Sequence, residues 1–365
     1  MNARMWGSLH GAAEPLRTGA SNLHGKKRMH GWIVAVAWSL VCLAGPALAQ
    51  QQAPGAPPPI TELAPMTVSG THPGPGLWKV SRDGHVLWVL GTLSPLPRKM
   101  EWHSQEVELA IAGSQELLLP PTLSVDTGRG LFRNLFLIPA LLKARKNPDG
   151  KTLQELVPAD AYARWTVLKA RYIGGDRSVE QWRPIFAALE LYTAAIKRSG
   201  LTLDNPVRER VEKLAKRARL TITPATSTVR LEDPKAAIKE FQRTSLEDQT
   251  CFVRTLEVIE REIDTMREQA NAWSVGDVEL LRHSPQTSQY AACQAALSES
   301  TLARNLGMGN LRQQSLDLWL DKAEAALVSN ASSFGLLPIG LVLGPGNLMD
   351  ALRARGYTVQ APGED

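Results

Sequence analysis

Beyond residue 49 this 365-residue chain carries four imidazoles, His72, His85, His103 and His283. A catalytic divalent metal usually takes about three protein ligands, imidazole or carboxylate, and keeps one position open for water. His72 lies in a Pro-rich stretch, His85 follows a turn signal, and His283 closes a segment between helices. That leaves His103 as the one candidate ligand, with Glu101 and Glu116 as the carboxylates that could join it and an exposed loop position as its alternative role. Ser94 follows a strand-like run, where active-site loops commonly sit. Its neighbours Leu93, Pro95 and Leu96 offer no base, and Gly91-Thr92-Leu93-Ser94 is not a Gly-x-Ser-x-Gly elbow. Thr92 and Ser94 therefore read as residues that cap or shape a loop. Gly344-Pro345-Gly346-Asn347 lacks the spacing and lysine of a phosphate loop, and Pro345 removes a backbone donor, so it reads as a turn entering a helix. The charged stretch 246–270 carries Glu257, Glu260, Arg261, Glu262, Asp264, Arg267 and Glu268, the pattern of a solvated helix face.

The elements that must position these residues come from both ends of the chain. Two strand-like runs, 77–81 and 86–91, flank Asp83-Gly84, a pair suited to a tight hairpin. The second run is apolar on both faces, as a strand covered by helices on each side would be, and Trp78 and Trp88 are core candidates. A helix is predicted over 105–112 and a short strand over 116–119, stopped by Pro120-Pro121. From 153 to 326 apolar spacing near 3.6 predicts helices throughout, including 246–270, 285–299 and 300–325. Strand character returns in the apolar run 334–343, then a short helix over 347–354 closed by Gly356, then a strand over 357–360. The expected fold is mixed α/β: a sheet built from N- and C-terminal segments with a large helical insertion.

Lys26-Lys27-Arg28, an apolar run over 31–45 and Ala47-Leu48-Ala49 have the order of a secretory signal peptide, with cleavage expected after Ala49. An apolar run of about 15 residues is short of the roughly 20 that span a bilayer as a helix. Val41 before Cys42 argues against lipidation, and no membrane anchor is expected after cleavage. Residues 50–75, rich in Pro, Gly and Gln, read as a tether. The leader holds Arg4, Arg17, Lys26, Lys27 and Arg28 against Glu14; of 41 basic and 36 acidic residues, 36 and 35 remain, a net charge of +1. Such a chain has no field to attract nucleic acid. A periplasmic or secreted location is oxidising, and the mature chain keeps two cysteines, Cys251 and Cys293, both on expected helices; they are paired or are two separate buried thiols.

Gly76-Leu77-Trp78-Lys79-Val80 and Val86-Leu87-Trp88-Val89-Leu90-Gly91-Thr92 together resemble the opening of the TraB/GumN family, also called TraB/PrgY/GumN and related to the Tiki metalloproteases. Ala112-Gly113-Ser114-Gln115-Glu116-Leu117-Leu118-Leu119 is similar to its second strand. Trp182-Arg183-Pro184 with Ala187-Ala188-Leu189-Glu190-Leu191, Ala303-Arg304-Asn305, and the ending Leu348-Met349-Asp350-Ala351-Leu352-Arg353-Ala354-Arg355-Gly356-Tyr357-Thr358-Val359 extend the resemblance from 77 to 359. It implies a metal site built from a Gly-Thr-x-His, a Glu ending the second strand and a Gly-x-x-His before the C-terminal helix. Here those positions hold Ser94, Pro120 and Leu341, so no ligand of the pattern is retained and no cofactor is expected. Thr92, Arg304 and Asn305 would line the corresponding cleft, although Arg304 equally suits a surface or interhelical ion pair. The expected function is that of an exported, degenerate family relative binding a protein or envelope component; the competing expectation is a hydrolase with a relocated active site.

Overall fold

A computed structural model describes residues 74–364 apart from 101, 103, 129–135, 285–287, 299 and 306–307. The leader, the tether up to residue 73, His72, Glu101 and His103 lie outside the described residues. Strands β1 (Leu77–Arg82) and β2 (His85–Thr92) pair antiparallel around Asp83-Gly84. Both turn residues have positive φ, 52° and 86°, a region glycine enters freely and aspartate tolerates. In chain order the other strands are β3 (Leu96–Pro97), β4 (Glu116–Asp126), β5 (Leu201–Thr202), β6 (Thr221–Arg230), β7 (Ser332–Pro338) and β8 (Thr358–Gln360). The main sheet runs β6-β4-β7-β2-β1-β8, and β3 pairs with β5 in a separate two-stranded ribbon. β2, β7, β4 and β6 are parallel neighbours, and β1 is antiparallel to both β2 and β8.

The helices are α1 (Gln105–Ala112), α2 (Ile138–Ala144), α3 (Leu153–Leu156), α4 (Ala159–Tyr172), α5 (Pro184–Arg198), α6 (Pro206–Arg217), α7 (Pro234–Arg243), α8 (Gln249–Arg261), α9 (Thr265–Ser274), α10 (Val278–His283), α11 (Ser288–Ser298), α12 (Thr301–Asn305), α13 (Leu311–Ser329), α14 (Ile339–Leu343) and α15 (Leu348–Ala354). Their starts follow from capping chemistry. Proline occupies the first turn of α5, α6 and α7, where its missing N–H is no loss. Ser104, Asn205, Asp233 and Asn347 each accept a first-turn N–H through the side chain.

The mixed α/β architecture is the expected one, with four differences in its elements. β4 does not stop at Pro120-Pro121 but runs eleven residues to Asp126. The prolines fall where pairing with β7 has ended at Leu118 and the register to β6 shifts between Leu118 and Pro121, so their missing donors sit at an irregularity that a ladder tolerates. The stretch from 153 to 326 is not wholly helical: Thr221–Arg230 forms the sheet edge β6, rich in Thr, Ile and Val, and an edge position accommodates Pro224. The expected helices 246–270 and 300–325 are broken, the first between Arg261 and Thr265 and the second between Asn305 and Leu311. Finally, the apolar run 334–343 is strand only to Pro338, after which α14 begins, so Leu341 lies on a helix.

Two apolar clusters result. One surrounds the sheet, where Leu87, Leu90, Phe334 and Leu336 pack with Trp319 of α13. The other lies among α4, α5 and α8, where Trp165 and Phe252 have ring centroids 5.5 Å apart. Cys251 of α8 and Cys293 of α11 are disulfide-bonded with Cα atoms 4.5 Å apart, within the range a bridge requires.

Candidate functional site

Parallel strands bring distant residues to one edge. Thr92 at the end of β2 pairs with Pro338 at the end of β7, and β4 leaves β7 after Leu118 pairs with Gly335. Ser94, Leu341 and Pro120 each follow one of these points by two or three residues. Ser94 and Leu341 therefore lie past the carboxyl ends of the parallel neighbours β2 and β7, where open α/β sheets place their ligands, whereas Pro120 lies within β4, just beyond its last pairing with β7.

What stands there is short of donor atoms. Ser94 is exposed, and its hydroxyl donates to the Leu203 carbonyl at 3.5 Å, a long contact. Buried Thr92 donates to the Leu337 carbonyl at 3.3 Å, closing the β2–β7 ladder by its side chain. Pro120 and Leu341 are half-buried, and Leu341 packs on the sheet core. The approach to β2 is filled by indoles. Trp273, 2% exposed, donates its Nε1–H to the Gly91 carbonyl at 2.6 Å. Trp102 meets Trp273 edge-on at 5.5 Å between centroids, and Arg210 lies 5.3 Å from the Trp102 ring while pairing with Glu108 at 2.8 Å. A Cβ at Gly91 would sit 2.4 Å from Ile339 Cδ1, so a side chain there would require the end of Ile339 to move.

The remaining candidates are dispersed. His85 begins β2 and donates from Nδ1 to the Asn330 carbonyl at 2.7 Å, while Glu116 begins β4 and accepts from Asn330 Nδ2 at 2.7 Å. Both are at the amino ends of their strands; at about 3.3 Å per residue Glu116 is roughly 13 Å along the strand from Pro120. His283 donates to its own helix at the Glu279 carbonyl, 2.8 Å away. Among the described residues no group of three His, Cys, Asp or Glu side chains is placed to hold a metal ion. A hydroxyl engaged with a carbonyl, a proline and a leucine do not fit a divalent cation. Arg304 and Asn305 are exposed on α12. Gly344-Pro345-Gly346-Asn347 forms a capping turn, in which Asn347 accepts from the Asp350 N–H at 2.8 Å and donates to the Gly344 carbonyl at 3.1 Å. Two open depressions of about 450 and 470 Å³ lie beside Lys169 and Glu180 and beside Leu109 and Leu214, and neither is lined by Ser94, Pro120 or Leu341.

The buried charges that sequence reading missed are Arg183 and Asp248. Arg183, 2% exposed, precedes α5 and donates to the carbonyls of Thr244 at 2.7 Å, Phe241 at 2.6 Å and Gln242 at 3.2 Å, with its guanidinium over the Phe241 ring. It caps the carboxyl end of α7 from another element. Asp248, 3% exposed, accepts from the Ile185 N–H at 2.9 Å and so caps the amino end of α5. Burial pushes the Asp248 carboxyl above the usual carboxylate range, opposed by its backbone hydrogen bonds and the Arg183 charge. Burial likewise lowers the Arg183 guanidinium, opposed by Asp248. Arg183-Pro184 joins a cap donor to a first-turn proline, which was the available signal; the two segments it joins were visible only in the fold.

A family model for the TraB/PrgY/gumN family matches residues 76–361. No curated protein and no solved structure matches the chain. With the match covering most of its length, the chain belongs to the TraB/PrgY/gumN family.

Proposed function

We propose that this is an exported, catalytically degenerate member of the family that acts by binding a protein or envelope component. The observation that carries the reading is the end of the β2–β7–β4 ladder: Ser94 and Leu341 follow the ends of β2 and β7, Pro120 follows the last pairing of β4 with β7, and Trp273 is packed against β2. Proline and leucine side chains offer no donor atom, and neutral hydroxyl is a poor ligand beside imidazole. Export is supported by the basic cluster, the apolar run and Ala47-Leu48-Ala49, which put the mature amino terminus at Gln50.

Two measurements on protein recovered after export test this. N-terminal sequencing should begin at Gln50, and a chain still carrying Lys26 would remove the export half of the proposal. Metal analysis should find well under one Mn, Co or Zn per chain in the parent. Tight binding should appear when Ser94→His, Pro120→Glu and Leu341→His are made together. A parent that holds one metal per chain and loses it on His103→Ala would instead establish the relocated hydrolase site.

A further inference from the structure

Helix α2 leaves an unusual surface. Phe136 is 81% exposed, Leu141 45% and Leu142 39%, while Leu137 and Ala144 are buried and Gln242 of α7 donates to the Ala140 carbonyl. The element is thus seated on α7, and Leu141 and Leu142 on it and Phe136 just before it are left exposed. Among the described residues, an exposed phenylalanine beside two leucines forms an apolar surface patch. The charge around it is one-sided: residues 136–148 contain Lys143, Arg145 and Lys146 and no acid. Lys143 and Lys146 are exposed, and the Arg145 guanidinium is stacked on Trp182 at 4.2 Å. The underlying α7 adds Lys235, Lys239 and Arg243 against Glu240. In a mature chain of net charge +1 this is a local concentration.

We propose that the Phe136–Lys146 face docks on a lipid bilayer bearing anionic headgroups. Apolar side chains flanked by lysines are the composition that settles into a membrane interface, with the rings and branched chains below the headgroups and the cations among them. Lysine stems allow the ammonium groups to reach phosphates while the apolar residues are buried. Among the described residues no helix is long and apolar enough to cross a membrane, so the contact would be peripheral and reversible. This inference is independent of the state of the sheet edge.

Co-sedimentation of the mature chain with phosphatidylcholine vesicles, with and without phosphatidylglycerol, tests it. The parent should pellet with the anionic vesicles, weaken as salt is raised, and remain in solution with phosphatidylcholine alone. Phe136→Ser with Leu141→Ser, and separately Lys143→Glu with Lys146→Glu, should each reduce partitioning at least about tenfold. These positions are exposed, and unchanged thermal unfolding of the variants would show that the fold is kept. Failure of the parent to bind anionic vesicles would overturn the proposal. So would equal binding to phosphatidylcholine, or folded variants of both kinds that partition like the parent.

Discussion

Replacing Arg183 by methionine is expected to destabilise the fold by about 2–3 kcal/mol, the cost of removing a buried charged donor and leaving its acceptors unsatisfied. Three consequences add. The carbonyls of Phe241, Gln242 and Thr244 lose their donor at the end of α7, Asp248 loses a favourable positive charge, and contact with the Phe241 ring goes with the guanidinium. Methionine restores only the volume. Urea unfolding of parent and variant measures the difference, and a loss below about 1 kcal/mol, the ordinary range of a surface pair, would refute the assignment. Asp248→Asn provides the complementary test, because asparagine can still accept from the Ile185 N–H. Asp248 has a folded pKa raised by burial, so the folded state holds its proton more tightly than the unfolded state does. The stability linked to that proton is complete below the ordinary carboxylate pKa and is lost as pH rises through the raised value. The stability difference between the asparagine variant and the parent should therefore shift in favour of asparagine across that window. A difference independent of pH would contradict the direction of the shift.

Loss of the Cys251–Cys293 bridge should cost a comparable amount. The bond closes a loop across a sequence separation of 42 residues, for which the chain-entropy relation gives about 4 kcal/mol. Cys251 is fully buried on α8, and the bridge fastens α11 to that helix. The double variant Cys251→Ala with Cys293→Ala should unfold at lower urea than the parent by that margin, and dithiothreitol should bring the parent to the same midpoint. The alanine variant should not respond to dithiothreitol. Thiol titration of the unfolded mature protein should find none free; two free thiols would refute the pairing.

Much of the framework was legible from local chemistry. Asp83-Gly84 specified a hairpin because its φ values are accessible to that dipeptide, and the unbroken apolar run of β2 specified a central strand because both its faces are covered. First-turn prolines and side-chain caps located several helix starts for the same reason: the interactions involved lie within a few residues. Breaks were harder to read. Apolar spacing persists through residues 262–264 although the backbone turns there, and Pro120-Pro121 reads as a stop although a shift of partner strand removes the penalty.

The sequence alone determined that Ser, Pro and Leu stand at 94, 120 and 341, the positions where the resemblance implies ligands. Only tertiary structure decided that these positions lie at or just beyond the end of the β2–β7–β4 pairing, that Glu116 and His85 belong to the opposite end, and that Trp273 reaches Gly91. Only tertiary structure, too, paired Arg183 with the end of α7 and left Phe136 outside the core. The physical reason is the range of the interactions: caps, turns and periodicity act within a turn or two of chain, whereas strand order, helix docking and burial join groups separated by tens to hundreds of residues, and a single sequence records the residues without the pairing.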